Sequence, residues 1–561
     1  MKYLFEVAWR LAILVLPWQT RWFSDASLVG WPWEQGRLSV YASWIFIFIC
    51  ILFVIIHKKN VKSLQKNAER FWMVYLIFIL SGLATQFEPS AVRAVGMWWV
   101  QVLLLIFFFS ALRQQGVAWR KVAIWFCISL LPHALLGAWQ FVHQEVIGSS
   151  LFGIASQLPE TLGVSVIARE GIRTLRAYGG FPHPNIFGGW LAIGALVSTV
   201  LALNDPGIQE QQDSGFMTYT QQRICWAVIA SCFASVLICT FSRSAILGFV
   251  VGFFVLLIVS GRNVLSRFVF STHKESSGIA EERMKGWIFL IVFFSFFGTA
   301  VFHTNLLLTR VIGSERLEMK SLETRARAQA EFIDVYHAHS WIGTGPNAEL
   351  YALSTQKEMT TVSEPLEPPH SVFLLALVNF GRIGSVLLIL CVLSFYRKRA
   401  RLADLILLAP LFIFSVFDHY LWSTWSGQVL GALTFFLIFG KIFHTESWHS
   451  HNEFANSHKL TPFSMNVRPL SDRVIVKPLS KEQSTASGII IPDTVDKERP
   501  EQGEVIAVGP GRRMDNGSRA GMDLKVGDKI VFKKYSPDEI KVGDEEVLVI
   551  SESDVMAVLE N

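Results

Sequence analysis

Long apolar runs separated by short polar loops fill the chain as far as residue 443, and they decide what it can fold into. A segment that crosses a bilayer must satisfy its own backbone, and as a helix it needs about 20 mostly apolar residues. About twelve such spans are expected, near 4–18, 38–57, 71–88, 93–112, 121–142, 185–203, 223–241, 243–260, 286–302, 371–395, 403–421 and 425–443. Composition agrees: 52% of the 561 residues are hydrophobic and only 17% are charged, where a soluble chain carries about 25% charge. The first run is followed by Pro17-Trp18-Gln19-Thr20-Arg21-Trp22 rather than by a small-residue cleavage site. It reads as a retained first membrane helix, not a signal peptide.

The character of the sequence changes near residue 444. His444 to Ser464 is polar and rich in His, Ser and Asn, and Met465 to Asn561 alternates like a soluble β-rich unit. The expected organisation is an all-α polytopic membrane domain over 1–443, a linker over 444–464 and a small all-β domain over 465–561.

Lys/Arg bias sets the expected orientation. Lys58, Lys59, Lys62, Lys66 and Arg70 form one basic loop, and Arg113, Arg120 and Lys121 a second. Arg262, Arg267, Lys274, Arg283 and Lys285 form a third, and Arg397, Lys398, Arg399 and Arg401 a fourth. With twelve spans all four fall on one side, the cytoplasm, together with both termini. Residues 143–184, the turn at Ser242-Arg243 and a large loop over 303–370 then face outward, carrying Arg169, Arg173, Arg176, Arg243, Arg310, Arg316, Arg325 and Arg327. Long loops translocate regardless of charge, which accounts for some of these. An outward site for an anionic substrate accounts for all of them, and Arg243 favours it because its turn is short.

The net charge of +5 is too mild to point to a nucleic-acid partner. All six cysteines lie in apolar runs without a C-x-x-C pair, so neither a disulfide framework nor a zinc site is expected. Cys225, Cys232 and Cys239 share a helix face by their spacing and read as packing residues.

The large loop ends in Pro368-Pro369-His370-Ser371, placing His370 at the mouth of a helix that runs through Asn379, Gly381 and Gly384. An imidazole there, among several arginines, suits a general base, since its ordinary pKa is near 6.5. Taken alone, an interfacial histidine is the commoner reading. No Asp-x-Asp pair or His/carboxylate cluster is seen in the outer loops, so no metal is expected. His183 and Asn185 have two readings: contact with a phosphate, or capping of the helix after Pro184, the latter favoured for Asn185. His303, His337 and His339 read as surface residues.

His370-Ser371, nine residues and Gly381 fit the H-[N/S/Q]-x9-G motif of the O-antigen ligase family. Trp341-Ile342-Gly343-Thr344-Gly345-Pro346 resembles that family's glycine turn, with Ser340-Trp341 in place of the usual proline. Arg176-Ala177-Tyr178-Gly179-Gly180-Phe181-Pro182-His183-Pro184-Asn185 resembles its arginine-led helix entry, and Thr240-Phe241-Ser242-Arg243-Ser244 its Ser-Arg hairpin. The resemblance covers about 1–443 and implies a GT-C-like fold with an inverting, metal-independent transfer. The donor would be an undecaprenyl-pyrophosphate-linked glycan at the outer face of the cytoplasmic membrane. The acceptor would be a hydroxyl, with ligase and polymerase equally compatible. His370 would deprotonate or orient that hydroxyl. Arg176 and Arg243 would hold the pyrophosphate, helped by Arg325 or Arg327, with His183 and Asn185 as further donor contacts. The competing expectation is a transporter or plain anchor without glycosyl transfer.

From Met465 the runs Val474–Val476, Val505–Val508, Lys529–Phe532 and Val547–Ile550 read as strands, and Asp515-Asn516-Gly517 as a hairpin turn. Between the first two strands Ser480 to Gln502 is polar except for Ile489-Ile490-Ile491 after Gly488. An apolar triplet in a polar loop suggests a docking motif that orders on binding, against a short edge strand.

Asn466-Val467-Arg468-Pro469-Leu470-Ser471-Asp472-Arg473-Val474, Gly503 to Gly509, Val526-Gly527-Asp528 and Ser551-Glu552-Ser553-Asp554 are similar to what GroES co-chaperonins carry. That resemblance spans 465–561 and implies a heptameric barrel-like cap on a GroEL-type chaperonin. Gly488, Ile489, Ile490 and Ile491 would be the GroEL-binding part of a mobile loop. ATP would belong to the partner, so no cofactor is expected on this chain. Met465 stands where a free-standing co-chaperonin would start, which suggests a fusion of two genes, natural or from a missed stop.

Overall fold

The computed structural model describes residues 2–56, 72–204, 218–270, 276–312, 316–360, 362, 365–396, 402–439, 469–478, 501–512, 514, 519–533, 537–542 and 545–559. The linker, the Asp515-Asn516-Gly517 turn and Gly488 to Ile491 lie outside the described residues. The chain divides into two compact units, Met1–His451 and Asn452–Asn561.

The helices of the first unit are α1 (Lys2–Val15), α2 (Ser43–Ile56), α3 (Trp72–Ala84), α4 (Pro89–Gln114), α5 (Trp119–His143), α6 (Pro184–Leu203), α7 (Tyr219–Cys239) and α8 (Arg243–Phe270). They continue as α9 (Ser276–Phe302), α10 (Thr304–Ile312), α11 (Arg316–Ala338), α12 (Glu349–Gln356), α13 (Val372–Tyr396), α14 (Leu405–Phe417), α15 (Tyr420–Ser423) and α16 (Trp425–Phe439). Short hairpin strands decorate two loops: β1 (Arg21–Phe23) pairs with β4 (Ser39–Tyr41), β2 (Ser27–Leu28) with β3 (Trp31–Pro32), and β5 (Val166–Arg169) with β6 (Ile172–Leu175).

Among the described residues seven helices are long and apolar enough to cross a membrane: α4 to α9 and α13, some of them trimmed at their ends. Four shorter apolar helices accompany them, Ser43–Ile56, Met73–Ala84, Leu402–Phe417 and Trp425–Ile438. The expected twelve spans are reached only if these four and α1 cross as well. The tight hairpin expected at residues 223–260 is present, α7 and α8 being joined by Thr240, Phe241 and Ser242 alone.

Helix α6 is the axis of the unit. Every one of its residues is buried, and it packs against α5, α7 and α8. A helix apolar all round is covered by protein or by lipid, and here protein covers it. Its one indole donor, Trp190 Nε1, is satisfied by the Ser426 carbonyl at 3.1 Å. Helix α9 is the opposite case. Trp287, Leu290, Phe294 and Phe297 stay exposed along it, an apolar face larger than water tolerates and suited to lipid.

Helix α13 is interrupted at Gly381, whose φ of 58° and ψ of −166° are not helical. The turn 340–345 fills the break. Thr344 N donates to Val378 O at 2.9 Å, Gly345 N to Asn379 O at 2.9 Å and Arg382 N to Ser340 O at 2.8 Å. A backbone break in an apolar setting requires such replacement partners. The approach is so close that a Cβ on Gly381 would stand 2.4 Å from the Trp341 backbone, and one on Gly343 2.4 Å from the Asn379 backbone. These glycines are spaced for a backbone-to-backbone joint, not merely for helix packing.

The second unit is one antiparallel sheet of six strands: β7 (Arg473–Pro478), β8 (Glu501–Val508), β9 (Lys529–Phe532), β10 (Asp538–Val542), β11 (Glu545–Ser551) and β12 (Val555–Leu559). Their order is β10-β11-β7-β8-β9-β12. Val474, Val476, Val505, Leu524, Ile530, Phe532, Leu548 and Ile550 form its core. The four expected strands are present, and the structure adds the outer strands β10 and β12. Three charged residues among the five of Asp538–Val542 hid the first of these.

Candidate active site

Five segments converge around His370. They are the end of the long loop before α13, the turn after α14, the entry to α6, the α7–α8 hairpin and the start of α8. Pro368 and Pro369 are extended formers that hold the chain off the helix until Ser371. His370 is thus presented at the mouth of α13, about two and a half turns from the Gly381 joint.

The His370 ring lies between two carboxylates. Its Nε2 is 3.5 Å from Glu367 Oε2 and its Nδ1 is 3.9 Å from Asp418 Oδ1, the latter an ion-pair rather than a hydrogen-bond separation. The His419 ring stands edge-on to it, with centroids 5.1 Å apart. Burial pulls the His370 pKa down, but Asp418 and Glu367 outweigh it and hold the pKa above the ordinary imidazole value. Burial pushes the Asp418 carboxyl upward, yet His370, the Arg325 charge and the Ser244 hydroxyl bring it to about 2, so it remains ionised. His419 is driven down to about 4 by burial and by the positive charge of His370.

Asp418 is the hub of a buried network. Its Oδ2 accepts from Ser244 Oγ at 2.7 Å and its Oδ1 from Asn185 Nδ2 at 3.2 Å. Asn185 Oδ1 accepts from Arg176 Nη2 at 2.6 Å. Arg176 also donates through Nε to the Thr240 carbonyl at 2.7 Å and through Nη1 to Ser165 Oγ at 2.8 Å. His183 Nδ1 accepts from the Asn185 backbone N–H at 3.1 Å, which places the proton of the neutral ring on Nε2, 3.3 Å from Ser165 Oγ. The His183 pKa falls to about 3 through burial and the Arg176 charge, so the ring is neutral.

Several expectations change here. His183, not Asn185, caps α6, and the Asn185 side chain bridges Arg176 and Asp418. Arg176 is 2% exposed and in this conformation turns no guanidinium face to a ligand. A His/carboxylate cluster does exist: sequence reading missed it because Glu367 and His370 meet Asp418 and His419 only through folding. The expected span 403–421 put Asp418 and His419 inside a helix, whereas α14 stops at Phe417 and Asp418 is extended. The available signal was that Asp418 is the one carboxylate between Leu405 and Phe439, and an ionisable group in so apolar a stretch marks a site by default.

The remaining arginines divide. Arg325, half-buried on α11, bears electrostatically on His183, Glu367, His370, Asp418 and His419. Arg327 is exposed, two residues and hence about 200° further round the helix. Half-buried Arg243 opens α8 and donates through Nη1 to the Arg310 carbonyl at 3.1 Å. Among the described residues no three of His, Cys, Asp and Glu gather as a metal-holding group. Such an assembly of a carboxylate-flanked imidazole with guanidinium groups nearby can take a proton from a hydroxyl and neutralise a departing anion.

Residues 227–389 match the family model described as O-antigen ligase. Arg243, Arg325, Arg327 and His370 lie inside that match, and Arg176, His183, Asn185 and Asp418 outside it. Residues 466–559 match the model described as chaperonin 10 Kd subunit. The co-chaperonin GroES of Methylobacillus flagellatus is 57% identical over 96 residues, 17% of this chain and 99% of the relative. That of Dechloromonas aromatica is 57% identical over 95 residues, 17% of this chain and 98% of the relative. That of Nocardioides sp. is 54% identical over 96 residues, 17% of this chain and 98% of the relative.

Proposed function

The chain belongs to the co-chaperonin GroES family through residues 466–559, and from that premise, with the O-antigen ligase match beside it, we propose a protein of two activities. The membrane part transfers a glycan from an undecaprenyl-diphosphate carrier to an acceptor hydroxyl at the outer face of the cytoplasmic membrane. The observation that carries this reading is the His370 imidazole set between Glu367 and Asp418 with the Arg325 charge acting on the same cluster.

In the proposed step the acceptor oxygen attacks the anomeric carbon and its proton passes to His370. The bond from that carbon to the diphosphate oxygen breaks on the opposite side, which inverts the configuration. The diphosphate leaves with the bonding electron pair, and Arg243 and Arg325 meet its charge. Guanidinium suits this because it pairs bidentately with phosphate oxygens. Asp418 orients the imidazole and stabilises the imidazolium, and Arg176 acts through Asn185 to fix Asp418. The test is incubation of the purified full chain in lipid nanodiscs with undecaprenyl-diphosphate-linked glycan and hydroxyl acceptors. The expected product is a glycan joined to the acceptor with release of undecaprenyl diphosphate. A donor that binds and is never consumed, whatever the acceptor, refutes the reading.

The second activity is capping of a GroEL-type chaperonin by a heptamer of the C-terminal unit on the cytoplasmic side. Strands β7 and β8, which pair with Pro478 opposite Gly503, bracket the segment that carries Ile489, Ile490 and Ile491. An Ile490→Asp chain is expected to lose ATP-dependent co-elution with GroEL, because a charge entering an apolar groove is not repaid there. Retained co-elution would refute the docking role of the triplet. The basic loops, read with an even number of spans, support a reading in which both termini face the cytoplasm, where such a partner would be met.

A further inference from the structure

Away from His370, the loop after α1 and the start of α4 enclose a cleft of about 540 Å³ lined by Asp25, Trp31, Trp33, Arg37, Ser90 and Arg93. Its size lies within the range of small-molecule sites, about 300–1,000 Å³. We infer that this cleft binds a sugar ring bearing an anionic group, as a second glycan subsite apart from the His370 cluster.

Three hydrogen-bond donors of its lining have no partner among the described residues: Trp33 Nε1, Arg37 Nε and Arg93 Nε. Trp33 is only 3% exposed, and a buried indole N–H normally finds an acceptor. These donors lie buried in residues that wall one cleft, and small side-chain turns on binding would offer them to a ligand rich in oxygen acceptors. The charge balance selects an anion. Arg21 and Arg37 share the carboxylate of Glu34, and with Arg93 and Asp25 in the lining three guanidinium groups face two carboxylates, an excess of one positive charge. Asp25 is exposed and suits sugar hydroxyl donors. Trp31 is 37% exposed and is held by its Nε1 bond to the Val362 carbonyl at 2.9 Å. An indole face so fixed packs against the C–H face of a pyranose, whose hydrogens are its electropositive side.

The cleft is tied to the transfer centre by packing. Trp33 shares a core with Phe332, Leu350 and Val378, against which Leu366 packs, and Leu366 directly precedes Glu367. A ring held by Trp31 and the arginines is therefore registered against the chain that carries His370. This inference rests on the transfer reading for the source of its ligand, donor glycan or acceptor, but not for the binding itself.

The test measures binding of tetragalacturonate and of uncharged cellotetraose to the full chain in nanodiscs. Tetragalacturonate should bind at least about ten-fold more tightly, the scale of a charge-assisted contact. Arg93→Gln should weaken it by about ten-fold and Trp31→Ala by several-fold, with Trp31→Phe retaining most of the binding. His370→Ala should leave it unchanged. Equal binding of the two probes, no binding, or an indifferent Arg93→Gln overturns the inference. In the transfer assay a raised KM of Arg93→Gln for the donor assigns the ring to the donor glycan, and a raised KM for the acceptor assigns it there. If His370→Ala keeps transfer while the binding results hold, the transfer mechanism fails and the subsite stands. If His370→Ala loses transfer and tetragalacturonate does not bind, the reverse applies.

Discussion

Glycan transfer falls by about 10²–10⁴-fold in His370→Ala, the usual scale for removing a general base, while the lipid-linked donor still binds. In the proposed mechanism guanidinium groups that do not depend on the imidazole hold the donor, so binding and chemistry should separate. The pH dependence adds a sharper expectation. In the proposed mechanism neutral His370 is the active form, and its pKa lies above the ordinary value because Asp418 and Glu367 favour the imidazolium over the opposing effect of burial. Activity should therefore rise with pH, with its midpoint above the usual 6.5 of imidazole. Asp418→Asn removes the buried negative charge, so the imidazolium loses support and the midpoint moves to lower pH. Rate measurements across pH on both chains check this. A midpoint unmoved by Asp418→Asn, or a His370→Ala chain that still transfers, contradicts the assignment.

How much of this was legible in the sequence follows from what each residue signals locally. The apolar runs, the Thr240–Ser242 hairpin and the strands around Val474 and Val505 depend on near neighbours and could be read directly. His370 could be singled out because prolines precede it and Gly381 follows at a defined spacing. The meaning of that spacing was hidden, since Gly381 and Gly343 answer to each other's backbone across 38 residues. Asp418 was hidden for a related reason. In an apolar run it looks like a membrane residue out of place, and only the fold brings Ser244, Asn185 and His370 to it. Arg176 was noticed for its charge and read as a phosphate ligand. In the structure it donates to Thr240, Ser165 and Asn185, a buried role that no local signal in the sequence announced.

That difference makes Arg176 a measurable case. Arg176→Ala leaves Asn185 Oδ1 without its donor and loosens the side chain that holds Asp418 Oδ1. Leaving a buried acceptor without its donor costs about 1–3 kcal/mol, and three are left here, so the thermal midpoint of the purified membrane protein should drop markedly. Arg176→Lys should recover little, since the three N–H donors of an ammonium radiate from one nitrogen and cannot reach acceptors that Nε, Nη1 and Nη2 meet separately. Arg327→Ala, at an exposed position, should stay within about 0.5 kcal/mol of the parent. Transfer is expected to fail in Arg176→Ala together with stability, and to fail in Arg243→Ala with much less loss of stability, because Arg243 is only half-buried. Unfolding midpoints read beside transfer rates separate the two arginines. An Arg176→Ala chain that melts like the parent yet transfers nothing would mean that this guanidinium leaves its network to meet the diphosphate, and the positioning role assigned to it would fall.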